Sequence, residues 1–488
     1  MRAPEGLRKR AIGVPRPQSL DPAATGALPS AVPVPSDMLG RFPEPAMTPK
    51  LVPFAGRRAS VLAATLLLGG RAALAPAQSP TQIELDLRRW AEAHQADQVA
   101  TLERLVNIQS GTMNTAGVRA AGDLVRRSLD SLGFTTSWIE LPPELKRAGH
   151  LYAERKGGRG KRILLIGHLD TVFEGEQQRF RRADTLARGA GVNDMKGGDV
   201  VILFALKALA STGALNGMRV SVLLTGDEES AGQPTAVSRA ALIDAAKRSD
   251  AVLDFEPDVG KGTVSQRGAV SWVLRVTGRQ YHSGQIFSDD AGYGAVFEAA
   301  RIIDGFRATM AREHYLTFNP AVIAGGTEVA FDTMALTSSA SGKDNIVPRT
   351  VTVAGDLRFL YDSQMVHAQS RMRDIVSRHL PGTSATLSFA DPYPAMSPSP
   401  RNEALLAALD SVSRALGYGP VDALDPARRG AADIAFAAPY AAALNGLGVR
   451  GAGAHTPDEV IDLRSLPTAT ARAAVFLYRL SRAGPATP

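Results

Sequence analysis

Apolar and polar positions alternate along residues 82–255 in a way that predicts helices and strands in turn. Four segments carry apolar residues at helical spacing and are predicted helices: 82–108, 120–132, 200–211 and 234–249. Four short apolar runs are predicted strands: 147–156, 162–167, 219–224 and 251–255. We expect the first two strands to pair across the Gly-Gly-Arg-Gly turn at 157–160. This alternation indicates an α/β domain with a mostly parallel central sheet.

From about residue 270 the order of elements changes. Strands are predicted at 271–277, 314–324, 349–360 and 384–390, with helices at 293–310 and 363–379. The order β-α-β-β-α-β is that of a ferredoxin-like α+β domain. We therefore predict a catalytic-type domain in two parts, 79–269 and 392–488, interrupted by an inserted domain at 270–391. The second part carries predicted helices at 402–416, 431–443 and 464–483.

The first 78 residues have a different composition. Ten prolines fall within the first 50 residues, and no apolar period is visible, so residues 1–46 are predicted to be disordered or a mis-assigned start. From Met47, a basic start with Arg57-Arg58 precedes an apolar run at 59–70 and small residues at 73–78. We interpret 47–78 as a signal peptide, resembling the twin-arginine type, for a periplasmic or secreted protein. The alternatives are a membrane anchor or a disordered tail, but the run is short for a membrane span.

Charge and cysteine content narrow the possible partners. The chain of 488 residues has a net charge of +7, but residues 1–78 hold ten Lys/Arg and four Asp/Glu. They account for +6, so the remainder is near neutral and offers no argument for a nucleic-acid partner. Cysteine is absent. Disulfides and thiolate ligands are thereby excluded, and any bound metal must sit on His, Asp or Glu.

Side chains able to bind divalent metals follow the predicted strands or lie in neighbouring loops. They are His168, Asp170, Asp194, Glu228, Glu229, Glu256 and His455. Because ligands gather outside the carboxyl ends of parallel strands, we expect these side chains to converge. Two histidines with several carboxylates are the ligand set of a two-zinc hydrolytic site.

Each of these residues also has an ordinary structural explanation. His168 would suit a capped loop, Asp194 a helix N-cap, and the pair Glu228-Glu229 a solvated turn. Adjacent residues on an extended chain point in opposite directions, however. One glutamate of the pair is therefore able to bind metal while the other faces an attacking water as general base.

Taken together, the motifs resemble one family of co-catalytic zinc metallopeptidases. That family includes glutamate carboxypeptidase, which is the nearest match, aminoacylase, acetylornithine deacetylase and succinyl-diaminopimelate desuccinylase. The resemblance covers residues 82–485. The matching stretches are GHLDTVF (167–173), GVNDMKGG (191–198), TGDEESAG (225–232), FEP (255–257), YHSG (281–284) and GAHTPDE (453–459).

The resemblance implies a role for each residue at the metal site. Asp194 would bridge two zinc ions, or Co²⁺ or Mn²⁺, and its peptide bond to Met195 would be cis. The remaining ligands would be His168, Glu229, Glu256 and His455. Glu228 would be the general base and acid that activates a water bridging the metals, and Asp170 would orient His168.

The inserted domain would supply the remaining site residues. His282 would stabilise the oxyanion, in dimeric relatives in the partner's site. Asn345 and Arg358 match positions that bind the substrate carboxylate, although Arg358 also suits an ordinary surface strand. One stretch departs from the family: relatives often have Gly-Gly-Gly-Thr-Asp where this chain has Arg-Gly-Ala-Ala-Asp at 429–433. The substrate pocket of this chain is therefore expected to differ.

The implied function is hydrolysis of an amide next to a free carboxylate, releasing a C-terminal amino acid such as glutamate from a small peptide or N-acyl amino acid. An N-acyl-amino-acid deacylase or a dipeptidase is the alternative with the same site. A metal-binding or interaction protein without turnover is the alternative of another class. The resemblance also implies a homodimer formed through the inserted domain.

Overall fold

A computed structural model describes residues 79–175, 178–333 and 336–484. The predictions for residues 1–46 and 47–78 lie outside these ranges. Within them, the helices are either too short or too polar to cross a bilayer.

The strands of the described residues are numbered in chain order. They are β1 Thr135–Ile139, β2 His150–Arg155, β3 Arg159–His168, β4 Arg181–Ala183, β5 Leu186–Arg188, β6 Met218–Thr225, β7 Ala251–Asp254, β8 Gly268–Gly278, β9 Thr317–Gly326, β10 Glu328–Asp332, β11 Thr337–Ser341, β12 Thr350–Phe359, β13 Thr383–Phe389, β14 Ala442–Asn445, β15 Gly451–Ala452 and β16 Val460–Asp462. The helices are α1 Gln82–Ala93, α2 Gln95–Val106, α3 Thr115–Ser131, α4 Lys196–Ser211, α5 Thr235–Ser238, α6 Ala240–Lys247, α7 Gly294–Met310, α8 Asp362–Val376, α9 Pro400–Ala415, α10 Ile434–Ala437 and α11 Ser465–Leu480.

The central sheet has six strands in the order β1-β2-β6-β3-β7-β14. Strands β6, β3, β7 and β14 are mutually parallel, whereas β2 is antiparallel to both of its neighbours, β6 and the edge strand β1, so the predicted mostly parallel sheet is confirmed. On β3, Ile163 and Leu165 pack into one core and Leu164 and Ile166 into another. Because helices cover both faces, the buried part of β3 at residues 163–166 is an unbroken apolar run rather than an alternating one.

A second layer is inserted in the chain between β7 and β14. Its antiparallel sheet has the order β13-β8-β12-β9, with α7 and α8 packed against it. Strand β8 alternates, burying Val270, Trp272, Leu274 and Val276. The element order is the predicted β-α-β-β-α-β, with an additional hairpin β10–β11. Where the chain crosses between the two sheets, Ala269 and Tyr393 exchange two backbone hydrogen bonds of 3.0 and 2.8 Å.

Two predicted helices are each divided in two. The helix predicted at 82–108 breaks at His94 (φ −103°, ψ 22°), where the ring nitrogen lies 2.8 Å from the carbonyl oxygen of Trp90 and the two rings stack. The helix predicted at 234–249 breaks at Arg239, whose buried guanidinium pairs with Asp227 and Asp433. In both places the helix is interrupted at a residue whose side chain contacts specific partners.

Two further predictions are wrong. The strands predicted at 147–156 and 162–167 do not pair with each other, because β6 lies between β2 and β3. The helix predicted at 431–443 is the short α10 followed by β14. Pro439 cannot continue the helical hydrogen bonding, and the apolar residues beyond it extend the sheet by pairing with β7.

Candidate metal centre

Three parallel strands end at the same edge of the central sheet and deliver the candidate ligands there. His168 is the last residue of β3 and lies opposite Thr225, the last residue of β6. Glu228 and Glu229 follow β6 directly, and Glu256 follows β7 by two residues. The strand ends therefore bring together side chains that are up to 88 residues apart in sequence, as expected for an open α/β sheet.

The candidate ligand atoms form two groups that share Asp194. His168 Nε2 lies 3.2 Å from Asp194 Oδ1 and 3.4 Å from Glu256 Oε1. His455 Nε2 lies 3.2 Å from Asp194 Oδ2 and 3.1 Å from Glu229 Oε2. One carboxylate thus offers an oxygen to each group, and within each group the ligand atoms lie within 4.8 Å of one another. This is the arrangement that a bridged pair of divalent cations requires.

The charges at the site fit cations held between these groups. Burial opposes the charge on His168, yet hydrogen bonds to Asp170, Asp194 and Glu256 raise its pKa well above the ordinary value. Hydrogen bonds to Asp194 and Glu229 raise the pKa of His455 to about 10. Burial would raise the pKa of Asp194, but the two histidines lower it. A dication would replace the protons that these carboxylates draw onto the imidazoles.

A buried oxygen supports the same interpretation. Glu229 Oε1 is buried and has no hydrogen-bond partner among the described residues. A buried carboxylate oxygen without a donor is costly unless a cation binds it. The donor set of imidazole nitrogens and carboxylate oxygens suits zinc, cobalt or manganese.

Glu459 fixes the loop that carries Asp194. Its Oε2 accepts a hydrogen bond from the backbone N–H of Gly191, and its Oε1 accepts those of Asn193 and Asp194, each at 2.8 Å. Burial raises the pKa of Glu459 to about 7, although these three N–H groups favour the charged form. The peptide bond between Asp194 and Met195 is cis, as the family resemblance implies.

Asp170 connects His168 to the loop that carries Glu228 and Glu229. His168 Nδ1 lies 3.0 Å from the main-chain oxygen of Asp170 and 3.6 Å from its carboxylate. That carboxylate accepts the backbone N–H groups of Glu228 and Glu229, at 3.0 and 3.1 Å, and the hydroxyl of Thr112 at 2.7 Å. Asp170 therefore orients both the His168 ring and the loop after β6.

Glu228 lies beside the candidate ligands, where its carboxylate is close enough to form a third possible ligand group with His168 and Glu229. It lines the same cavity as Asp194, Glu229, Glu256 and His455. Burial raises its pKa well above the ordinary value, and the nearby Asp433, Glu229 and Glu256 raise it further against the opposing effect of His168. A carboxylate with a raised pKa holds and releases a proton closer to neutral pH, which general acid–base catalysis requires.

A buried network that the sequence did not reveal supports the backbone of Glu228. The Tyr393 hydroxyl donates to the main-chain oxygen of Glu228 at 3.0 Å and accepts from Arg239 Nη2 at 2.8 Å. Arg239 also forms ion pairs of 2.6 Å with Asp227 and with Asp433. Asp227 and Asp433 fall in stretches already singled out by sequence. Tyr393 lies in a proline-rich linker that gave no signal.

Four of the five candidate ligands line one cavity of about 600 Å³ together with Glu228 and Arg358: Asp194, Glu229, Glu256 and His455. His282 and Asn345 do not line it. They lie together on the inserted layer, where the backbone N–H of Ser283 donates to the carbonyl of Asn345 at 2.9 Å, and both side chains are exposed. Of the predicted site residues, the structure thus brings Arg358 to the metal ligands and leaves His282 and Asn345 apart from them.

Comparison with known proteins places this site in a family. Residues 164–479 match the sequence profile of the peptidase family M20/M25/M40. The chain is 28% identical over 390 residues to carboxypeptidase G2 of Pseudomonas sp., covering 76% of this chain and 86% of the relative. It is 26% identical over 389 residues to succinyl-diaminopimelate desuccinylase of Acidiphilium cryptum, covering 76% and 95%.

Solved structures share the fold. Aminopeptidase PepT of Bacillus cereus superposes with a TM-score of 0.63 at 18% identity, covering 79% of this chain and 98% of that one. A Bacillus subtilis protein described as a dinuclear metal-binding peptidase of the M20 family gives 0.57 at 17% identity, covering 80% and 98%. The paired ligand groups and the family match support the same conclusion. This chain belongs to peptidase family M20/M25/M40, and it is a hydrolytic enzyme of the metallopeptidase and amidohydrolase type.

Proposed function

We propose that this enzyme hydrolyses an amide bond next to a free carboxylate and releases a C-terminal amino acid, as a carboxypeptidase does. One observation carries the proposal: Arg358 lines the cavity that is also lined by Glu228 and by members of both ligand groups, Glu256, Asp194 and His455. Asp356 accepts a hydrogen bond from Arg358 Nε at 2.6 Å, the only hydrogen bond of this guanidinium within the described ranges. Its terminal nitrogens remain for a planar carboxylate. The similarity to carboxypeptidase G2 supports the same reaction.

Two divalent cations, which we propose to be zinc, would be held by two groups of ligands. One group is His168, Asp194 and Glu256, and the other is Asp194, Glu229 and His455. When bound, the ions would polarise the amide carbonyl and lower the pKa of water.

Glu228 carries the proton transfers of the proposed reaction. Its carboxylate accepts a proton from the water that attacks the amide carbonyl. It then donates that proton to the amide nitrogen as the C–N bond breaks, so that an amine and a carboxylic acid leave. Its backbone is held from both sides, by Asp170 at the N–H and by Tyr393 at the carbonyl oxygen. The base therefore keeps its position through both steps.

A second candidate uses the same site on another substrate. The similarity to a desuccinylase extends over 95% of that relative, which favours deacylation of an N-acyl amino acid. The catalytic residues would be unchanged, and the groups on either side of the amide would differ. A dipeptidase is a further possibility of the same kind.

The test is the initial rate of the purified protein with N-acyl-glutamates, N-acetyl amino acids and dipeptides. Each is measured with zinc, with a chelator, and with the Glu228→Gln variant. We expect turnover of the glutamate conjugates, abolished by chelator and reduced by about 10²–10⁴-fold in Glu228→Gln, while the exposed control Glu403→Gln keeps full activity. Turnover of only acetylated amino acids or dipeptides would replace the carboxypeptidase proposal with the second candidate.

We further propose that the active form is a homodimer built on the inserted layer. Strand β9 is an edge strand, and Ile323 on it is 61% exposed. Val296 and Phe297 on α7 are also exposed, and exposed apolar side chains beside a free sheet edge favour pairing with a second copy. His282 and Asn345 lie outside the cavity of their own chain, which suits a role in the site of a partner.

We also propose export, on the sequence of residues 47–78 alone. Fractionation of cells that express the full chain tests this, with Arg57→Lys/Arg58→Lys as the variant. We expect the wild type outside the cytoplasm and the variant retained within it if the twin-arginine route is used. Wild-type protein in the cytoplasm would refute export.

A further inference from the structure

The wall of the cavity carries more positive charge than one substrate carboxylate needs. Besides Arg358, two consecutive arginines, Arg428 and Arg429, line it. Arg428 is the last residue of a short 3₁₀ turn at Pro426–Arg428, and Arg429 follows it. The turn begins after Asp425, whose side chain accepts a hydrogen bond from the backbone N–H of Ala427 at 2.9 Å. Arg267, just before β8, donates to the carbonyl of Ala427 at 3.2 Å. The turn that presents the arginines is thus fixed at both of its sides.

Arg429 is already engaged by the protein. Its Nη1 donates to the carbonyl of Pro257 at 3.0 Å, and its Nη2 lies 3.7 Å from Glu256 Oε2. The side chain is only 10% exposed. Arg429 therefore faces the oxygen of Glu256 that points away from His168, and it serves as a fixed part of the wall.

Arg428 is not engaged in this way. Within the described ranges its guanidinium makes no hydrogen bond or ion pair, and the exposed side chain lines the cavity. An arginine that lines a substrate cavity without a protein partner is available to an anionic group of a ligand.

We infer that Arg428 is a specificity-determining residue that binds a second anionic group of the substrate, with Arg429 holding the turn in place. The substrate class is then an amide with two acidic groups. One is bound at Arg358 next to the scissile bond, and the other at Arg428. This inference rests on the proposed amide hydrolysis and narrows its substrate.

Matched substrate pairs test the inference and locate the second acid. N-benzoyl-glutamate is compared with N-benzoyl-glutamine, which varies the leaving amino acid, and N-succinyl-leucine with N-butyryl-leucine, which varies the acyl group. The variants are Arg428→Gln and, as a control of equal charge change, Arg127→Gln on the exposed face of α3. The quantity measured is the ratio of kcat/KM within each pair.

We expect the wild type and Arg127→Gln to prefer the dianionic member of one pair by about 10- to 100-fold, the range for a charged hydrogen bond. In Arg428→Gln that ratio should approach one. The inference is overturned if the wild type has no preference in either pair. It is equally overturned if Arg428→Gln lowers both members of a pair to the same extent.

Binding separates failure of this inference from failure of the proposed hydrolysis. If no amide in the panel is cleaved, the proposed function fails, and calorimetry with glutarate and butyrate decides the role of Arg428. We expect Arg428→Gln to weaken the binding of glutarate, which has two carboxylates, about tenfold. The binding of butyrate, which has one carboxylate, should not change and serves as the reference. Equal glutarate affinity in wild type and variant would overturn the inference.

Discussion

At the scale of single residues, the position of Asp194 depends on a carboxylate that binds no metal. Glu459 accepts three backbone N–H groups with its two oxygens, and two of them belong to Asp194 and its neighbour Asn193. The main chain of Asp194, the candidate bridging ligand, is thus held in position by its hydrogen bonds to Glu459. Second-sphere support of this kind is often as important to a metal site as the ligands themselves.

Replacing Glu459 by glutamine should therefore disturb both stability and metal binding. The amide NH₂ of glutamine must face a backbone N–H, which leaves at least one buried donor unpaired. We expect a loss of about 1–3 kcal/mol in the free energy of unfolding and weaker zinc binding in a competition titration. Glu403→Gln on the exposed face of α9 is the control. Unchanged zinc affinity in Glu459→Gln would contradict the assigned role.

Tyr393 acts on Glu228 through the backbone, so its effect should fall on the chemical step. Tyr393→Phe removes the hydroxyl that joins Arg239 to the Glu228 carbonyl. We expect kcat to fall about 3- to 15-fold, the value of one neutral hydrogen bond, with KM nearly constant. Tyr361→Phe, at the exposed start of α8, is the control. A rise in KM with unchanged kcat would instead assign Tyr393 to substrate binding.

The convergence of the candidate metal ligands could be predicted from sequence because each of them follows a strand or lies in a distinctive loop. His168, Asp194, Glu229, Glu256 and His455 do converge. Tyr393 could not be predicted, because its partner Glu228 is 165 residues away and no local pattern links them. Glu459 lies in the matching stretch 453–459, but its role could not be predicted, because its partners are 265–268 residues away.

At the scale of elements, the first and last helices of the described chain are joined by one ion pair. Arg479 on α11 donates to Glu84 on α1 at 2.7 Å, and the side chain of Glu84 is almost fully buried. Burial tends to raise the pKa of Glu84, but Arg479 and the backbone N–H of Thr81 lower it below the ordinary value. The pair therefore stabilises the fold only while Glu84 is charged.

The sign of the pH effect follows from that depressed pKa. The stabilisation is complete above the unfolded value, about 4.3 for glutamate, and is lost as pH falls through the lower folded value. Glu84→Gln should therefore cost about 1–3 kcal/mol at pH 7 and progressively less below pH 4. Urea unfolding at pH 7 and below pH 4 measures this cost in the free energy of unfolding, with the exposed Glu92→Gln variant as control. A cost independent of pH would contradict the assignment to this ion pair.

Elements were predictable where an apolar period was long, and not where it was short. Helix α4 and strand β3 are nearly uniform apolar runs with clear ends. The run Ala441–Leu444 is compatible with helix or strand, and only its pairing with β7 decides between them. Likewise, the separation of β2 from β3 depends on β6, which begins fifty residues after the end of β3.

At the scale of the whole molecule, the proposed dimer predicts that two inactive variants restore each other. Glu228→Gln lacks the base, and His282→Ala lacks the group proposed to reach the partner's site. After mixing under exchange conditions, about a quarter of all sites combine an intact Glu228 with an intact partner His282, given random twofold pairing. We expect activity at that level, measured as the initial rate. Absence of any recovery in a proven mixed dimer would place His282 outside the partner's site.

The sharing of Asp194 and the late position of His455 have a consequence for biosynthesis. A growing chain that has emerged as far as the inserted layer already holds His168, Asp194 and Glu256, but it lacks the histidine of the second group. The edge strand β14 and the helix α11 that covers the core are also still missing. The candidate hydrolytic centre is therefore completed only after His455 has been synthesised. Until then the growing chain holds one ligand group without the other, so we expect it to have no hydrolytic activity.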